Sequence, residues 1–116
     1  MSDCIFCKIV EGKIPAKKVF EDEDMLAFND ISPIRPVHVL VIPKKHITSL
    51  ATATPEDALV LGKMLAKANE IAVSQGSPDG FRVIINTGRV GQQEVQHLHI
   101  HIVGGPDPVG PMLKRL

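Results

Sequence analysis

A chain of 116 residues is long enough for one hydrophobic core and too short for two, so residues 1–116 are expected to form a single domain. Its 44% hydrophobic and 22% charged residues exclude disorder, and thirteen basic against thirteen acidic side chains exclude an electrostatic footprint for nucleic acid or a membrane surface. The lack of Trp and Tyr also removes most of the stacking platforms used to bind single strands, which leaves a small molecule as the expected ligand.

The opening Met-Ser-Asp-Cys-Ile-Phe-Cys-Lys lacks the basic and then apolar regions of a secretory signal, so a cytosolic protein is expected. No apolar run is long enough to span a bilayer. Cys4 and Cys7 form one Cys-x-x-Cys, which in a reducing compartment points to metal or redox chemistry rather than to a disulfide. A short helix is expected from Cys4 to its stop at Gly12. Val19 to Glu21 and Met25 to Asn29 read as two short strands around the solvated turn Glu21-Asp22-Glu23-Asp24. After the break at Asp30-Ile31-Ser32-Pro33, alternation from Val37 to Pro43 puts His38, Leu40 and Ile42 on one face and Val37, Val39 and Val41 on the other.

Thr54-Pro55-Glu56-Asp57 is a helix start: an N-cap hydroxyl, proline at the first helical position and acidic residues in the first turn. The helix is expected to run to about Ser74, with Leu61, Leu65, Ala68 and Ala72 facing a sheet, Lys63, Lys67 and Glu70 facing water, and Gly76 as the stop. A turn at Ser77-Pro78-Asp79-Gly80, a strand from Phe81 to Asn86 and a Gly-rich loop from Gly88 to Gly91 follow. The short connection to the last strand favours a hairpin. An α+β domain is expected, with an antiparallel sheet of about five strands, one long helix and a short N-terminal helix.

That last strand carries the chemistry. Residues 97 to 103 read His-Leu-His-Ile-His-Ile-Val, so an extended chain lines one face with His97, His99 and His101 and the other with Leu98, Ile100 and Ile102. Three of five histidines in one row are poorly explained by packing. Two mechanisms fit: neighbouring imidazoles hold a metal that activates water, or one imidazole attacks an electrophile while the others stabilise anionic charge. For Cys4 and Cys7, a thioredoxin-type role lacks its βαβ context. His46 and His97 instead complete a Cys2His2 set for a closed, structural zinc, and two free buried cysteines are the bland alternative.

The row His97-Leu98-His99-Ile100-His101-Ile102-Val103 resembles the signature of the histidine-triad (HIT) family of nucleotide hydrolases and transferases. Ile14-Pro15-Ala16, Phe28 to Pro33, His38 to His46, Asn86-Thr87-Gly88, Gly91 to Val95, Gly104-Gly105 and Gly110-Pro111-Met112 resemble its Hint branch in order and spacing. The resemblance implies a purine nucleoside phosphoramidase of HIT-like fold, which hydrolyses the P–N bond of adenosine or guanosine 5′-phosphoramidates without a catalytic cofactor. In that reading His99 attacks the α-phosphorus and forms a nucleotidyl-histidine. His101 and backbone amides of Gln92-Gln93-Glu94 hold the phosphoryl oxygens, His38 orients or charge-balances the catalytic histidine, and Asn86 fixes the phosphate and ribose end. Asp30 accepts from the ribose hydroxyls, or caps an Asx turn before Ser32, or both. Ile5, Phe6, Ile9, Phe28, Ile31 and Leu40, with Val95 beside the loop, form an apolar slot for the purine, a role that competes with ordinary core.

The resemblance also implies a homodimer paired across strands and helices, with the tail from Gly104 to Leu116 reaching toward the partner's site. One departure stands out: Glu94 occupies the position of a serine in animal members. A carboxylate there cannot donate a proton and repels phosphate, so Glu94 points away, is protonated, or binds an amine-bearing substrate such as a lysyl or aminoacyl group. The alternatives are a dinucleoside polyphosphate hydrolase of the same family, a nucleotide-binding adaptor and a metal-dependent hydrolase.

Overall fold

The β-branched alternation from Val37 to Pro43 forms the central strand of a five-stranded antiparallel sheet, and all seven residues of that strand are buried. The computed structural model describes residues 3–112. Its strands are β1 (Lys18–Glu21), β2 (Met25–Asn29), β3 (Val37–Pro43), β4 (Arg82–Ile84) and β5 (Ile100–Gly104), in the order β1-β2-β3-β5-β4. Helix α1 (Ile5–Val10) and helix α2 (Ala58–Gln75) complete the expected α+β architecture. Among the described residues, no helix is long and apolar enough to cross a membrane.

Each face of the sheet has its own helix, because successive side chains of a strand point to opposite sides. Val37, Val39, Val41, Ile100 and Ile102 pack with Met64, Ala68, Ile71 and Ala72 of α2. Leu26, Phe28, Leu40 and Ile42 pack with Phe6 and Ile9 of α1. The α2 stripe differs from the expected one by about one residue: Leu65 is 50% exposed, whereas Met64 is fully buried. The helix carries two overlapping apolar stripes, and the sheet selects the one that points between β3 and β5.

Both ends of α2 match their signals. A single 3-10 turn, Pro55–Asp57, leads in, with the Asp57 carboxylate accepting from the Thr54 amide at 2.9 Å and from Lys45 Nζ at 2.8 Å. At the other end Gly76 takes φ 111°, a left-handed conformation that lets its amide donate to Val73 and the Ser77 amide to Ala72.

The last two strands are shorter than expected. β4 spans only Arg82–Ile84, and β5 begins at Ile100, so of the three histidines in the row only His101 lies in a strand. The β3–β5 register, with Val41 opposite Ile100, would bring Pro43 opposite Leu98 if it continued. Proline has no N–H for a ladder. The chain therefore leaves the sheet there: the Leu98 amide donates to Ile47 and the Pro43 carbonyl accepts from His97 Nε2 at 2.8 Å.

Candidate functional site

Although it leaves the ladder, the segment keeps its alternation. Leu98 and Ile100 enter the α2-side core, while Phe6 of α1 sits edge-on to both His97 and His99, with ring centroids 5.8 and 5.2 Å away. The His99 and His101 rings follow at 5.1 Å, and the His38 ring from the neighbouring strand lies 5.2 Å beyond. The order His97, His99, His101, His38 thus runs along one side of the sheet.

The hydrogen bonds assign the protons of this row. His99 Nδ1 lies 2.8 Å from the His97 carbonyl, which can only accept, so Nδ1 carries the hydrogen and Nε2 the free lone pair. The Ile34 amide donates to His38 Nδ1 at 3.2 Å, so His38 bears its hydrogen on Nε2. That Nε2–H donates to His101 Nδ1 at 2.9 Å, which leaves the His101 hydrogen on Nε2. The geometry therefore sets a lone pair on His99 beside an N–H on His101.

Burial keeps His38 and His101 neutral. It pushes His101 down to about 4, helped by the neighbouring His99 and His38 and opposed by Asp30. It also lowers His38, again against the pull of the Asp30 carboxylate, whose Oδ2 lies 3.6 Å from His38 Nε2. Asp30, His38 and His101 have ligand atoms near enough to share an ion. The 2.9 Å approach of the two imidazole nitrogens is nevertheless a hydrogen bond, shorter than the roughly 3.3 Å between two nitrogens bound at tetrahedral angles to one zinc.

A cleft of about 460 Å³ opens over His99 and His101. Ile5, Phe6, Ile9, Phe28, Leu40 and Val95 give it an apolar wall, and Asp30, Ile31 and Glu94 stand on its rim. Phe6 and Phe28 meet edge to face at 5.6 Å, which fixes the wall's shape. Ile31 is 97% exposed, so it closes nothing by itself. Asn86 lies in an adjoining cleft of about 370 Å³ that shares Asp30, Glu94 and His101 with the first. Asp30 does cap its turn, accepting from the Ser32 amide at 2.7 Å through Oδ1, while Oδ2 faces His38.

Two expected contributors have other partners. The Gln92 and Gln93 amides donate to the Arg89 and Gly88 carbonyls, and the buried Gln93 carboxamide bonds the Gly88 amide and the Thr48 and Val95 carbonyls. Gln93 thus shapes the loop from within, and of the three loop amides only that of Glu94 makes no hydrogen bond among the described residues. Ile14, Pro15 and Ala16 also line the main cleft. Their sequence gave no sign of it beyond the Ile-Pro-Ala resemblance.

At the far end of the row, Cys4 Sγ lies 3.2 Å from His97 Nδ1, and Cys7 Sγ lies 3.3 Å from His46 Nδ1 and 3.6 Å from His97 Nδ1. The four donor atoms are all within 4.8 Å of one another. Tetrahedral zinc, with bonds of about 2.3 Å to sulfur and 2.0 Å to nitrogen, sets its ligands roughly 3.3–3.8 Å apart, so the set fits that ion. The bond from His97 Nε2 to the Pro43 carbonyl points Nδ1, unprotonated, at the cluster, as a metal ligand requires. Burial, with Cys4 beside it, pushes the Cys7 thiol up to about 11, so without a metal Cys7 is a thiol.

Comparison with known proteins agrees with this geometry. Residues 3–114 match the family model described as scavenger mRNA decapping enzyme C-term binding. The chain is 56% identical over 106 residues to protein HitA of Neisseria gonorrhoeae, covering 91% of this chain and 99% of that protein. A histidine triad protein from Clostridium difficile superposes with a TM-score of 0.89 at 45% identity, over 96% of this chain and 97% of that one. A HIT family hydrolase from Legionella pneumophila does so with a TM-score of 0.86 at 43% identity, over 90% and 95%.

Proposed function

The chain belongs to the histidine-triad family, and from that premise we propose that it is a nucleotide hydrolase, specifically a purine nucleoside phosphoramidase. The observation that carries the reading is the pairing of a free Nε2 lone pair on His99 with an Nε2–H on His101 at one cleft. A neutral imidazole attacks phosphorus well near pH 7 and is then displaced in its turn.

In the first step His99 Nε2 forms a bond to the α-phosphorus, the P–N bond breaks, and the amine departs with a proton drawn from water. The imidazole becomes cationic on phosphorylation, and its Nδ1–H, donated to the His97 carbonyl, shares that charge. In the second step water attacks phosphorus and gives up a proton to solvent, returning the one taken by the amine, while the His99–P bond breaks and the nucleoside monophosphate leaves. His101 Nε2–H, the Glu94 amide and Asn86 hold the non-bridging oxygens, and His38 keeps His101 in the donating tautomer. Asp30 accepts from the ribose hydroxyls through the carboxylate oxygen its turn leaves available. Phe6, Ile9, Phe28 and Leu40 take the purine, with Ile5, Ile31 and Val95 at the edges.

Cys4, Cys7, His46 and His97 hold a structural zinc in this reading. Four protein ligands leave no open position for water, so the ion's contribution is to pin α1 and His97 to the sheet. Cys4 and Cys7, not joined in a disulfide, suit a reducing compartment, which supports the cytosol as the setting of the reaction. The homodimer is supported by the short edge strand β4, whose outer backbone is unpaired among the described residues, and by exposed Leu59 and Val73 on α2. Of the tail proposed to reach the partner, residues 113–116 lie outside the described residues.

The test is release of AMP from adenosine 5′-phosphoramidate and from diadenosine tetraphosphate, with and without chelator. Chelator-resistant cleavage of the phosphoramidate supports the reading. Preference for the dinucleotide moves the chain to polyphosphate hydrolysis, and no turnover of either makes it a nucleotide-binding adaptor.

A further inference from the structure

Helix α1 serves two sites at once. Cys4, at its N-cap, and Cys7, in its first turn, face His46 and His97 in the metal cluster. On the same helix Ile5, Phe6 and Ile9 form part of the apolar wall of the cleft over His99, and the Phe6 ring lies edge-on to His97 and His99 alike. Six residues are too few for a helix to hold its shape alone, so this wall depends on packing against the sheet and on the cluster that anchors the first turn. The two anchoring sulfurs belong to the chain's only cysteines. Their Sγ atoms lie within 4.8 Å of one another, and the Cys7 amide donates to Cys4 Sγ at 3.3 Å. Cys7 is buried, whereas half-buried Cys4 lines, with His46, a surface cavity of about 570 Å³.

We propose that Cys4 and Cys7 are a redox-modification site: peroxide joins them in a disulfide, the metal is released, and the nucleotide cleft loses its α1 wall. The inference rests on the structural-zinc part of the function proposed above. Cys4, reachable from the cavity, reacts first. Its sulfur attacks one peroxide oxygen, an S–O bond forms, the O–O bond breaks and hydroxide departs. The Cys7 sulfur then attacks Cys4, forming the S–S bond and displacing the second oxygen as hydroxide. The two sulfurs lose two electrons, peroxide gains them, and two protons from solvent turn the hydroxides into water. The S–S bond of about 2.05 Å is reached by rotating two neighbouring side chains. Only His46 and His97 then remain as ligands, and two imidazoles hold zinc far less tightly than the full set. With its anchor gone α1 is docked less of the time, and a wall docked in one molecule in ten weakens nucleotide binding about tenfold. His99 keeps the His97 carbonyl as its partner, so the loss falls on affinity rather than on the chemical step.

The experiment treats the full chain, purified with zinc under a thiol reductant that is then removed, with hydrogen peroxide. Zinc released to a chromophoric chelator, intact mass and AMP affinity by calorimetry are followed together, with far-UV circular dichroism as the control for folding. Stoichiometric zinc release, loss of two hydrogens from the mass of the reduced, metal-free chain and AMP binding weakened about tenfold are expected, all restored by reductant and zinc. Reduced protein stripped of zinc by chelator alone should bind AMP as weakly. Cys7→Ser cannot close the disulfide, and its AMP affinity should show no cycle of loss with peroxide and recovery with reductant. Zinc retained after peroxide, a disulfide form that binds AMP as tightly as untreated protein, or unfolding of the whole chain on oxidation overturns the inference while leaving the zinc site standing. Protein that binds AMP but takes up no zinc defeats the zinc reading and this inference with it.

Discussion

Lowering the pH tests the neutrality of the histidine row, and the structure gives both sign and size. An unfolded histidine titrates near 6.5, whereas burial holds His101 at about 4 in the fold. Between those values the unfolded chain binds the extra proton and the native protein does not, so stability falls as the pH drops through that window. The interval corresponds to ~3 kcal/mol for His101, with a steepest slope of ~1.4 kcal/mol per pH unit. His38 is also lowered by burial and adds to the loss in the same direction. The lowered carboxylates Glu21, Asp22 and Asp57 act elsewhere: their stabilisation is complete above their unfolded values near 4 and is lost only as the pH falls further. Urea unfolding from pH 7.5 to 4 measures the effect. His101→Gln keeps an acceptor for His38 Nε2–H and removes one titrating group, so its stability falls less steeply than the wild type between pH 6.5 and 4. Loss of bound metal affects both proteins and drops out of the difference. Superimposable pH profiles for the two would refute the argument that His101 is folded as a neutral imidazole.

Two substitutions test the attacking histidine and the cysteine–histidine cluster. His99→Asn removes the lone pair that attacks phosphorus and is expected to lower kcat by at least about a thousandfold with the fold and nucleotide affinity kept; wild type quenched in alkaline denaturant, but not the variant, should carry labelled nucleotide on histidine. Turnover at the wild-type rate would end the assignment of His99 as nucleophile. Cys4→Ser is expected to reduce zinc per chain and to lower Tm by several degrees, with kcat at saturating substrate altered far less than in His99→Asn. Equal zinc content in variant and wild type, measured by elemental analysis, would show that Cys4 is not a ligand.

Much of this site could be read before any fold was known, because the features involved are local and periodic. Strict alternation sends His97, His99 and His101 to one side whether or not the chain is paired in a sheet, and side-chain chemistry alone joins Cys4 and Cys7 to His46 and His97. The Thr54 to Asp57 start and the Gly76 stop of α2 were equally plain, since caps are satisfied by neighbours in sequence.

Other features depend on contacts between distant residues. Whether Met64 or Leu65 faces the sheet depends on the rotation of a helix that has two overlapping stripes. The point at which residues 97–99 leave the ladder depends on the proline that β3 brings opposite Leu98 and on the Ile47 carbonyl that accepts instead. The tautomers of His99, His101 and His38 are set by the His97 carbonyl, the Ile34 amide and one another across strands, none of which spacing reveals. Gln93 and Glu94 look alike as adjacent polar loop residues. Folding buries one carboxamide against three backbone partners and leaves the next carboxylate facing the clefts. Periodicity and side-chain chemistry are properties of the chain and so determined the fold class and the row of histidines. Proton positions, helix rotation and the carboxylate at the clefts were decided only by the tertiary structure, because each is fixed by a hydrogen bond or packing contact between residues far apart in sequence.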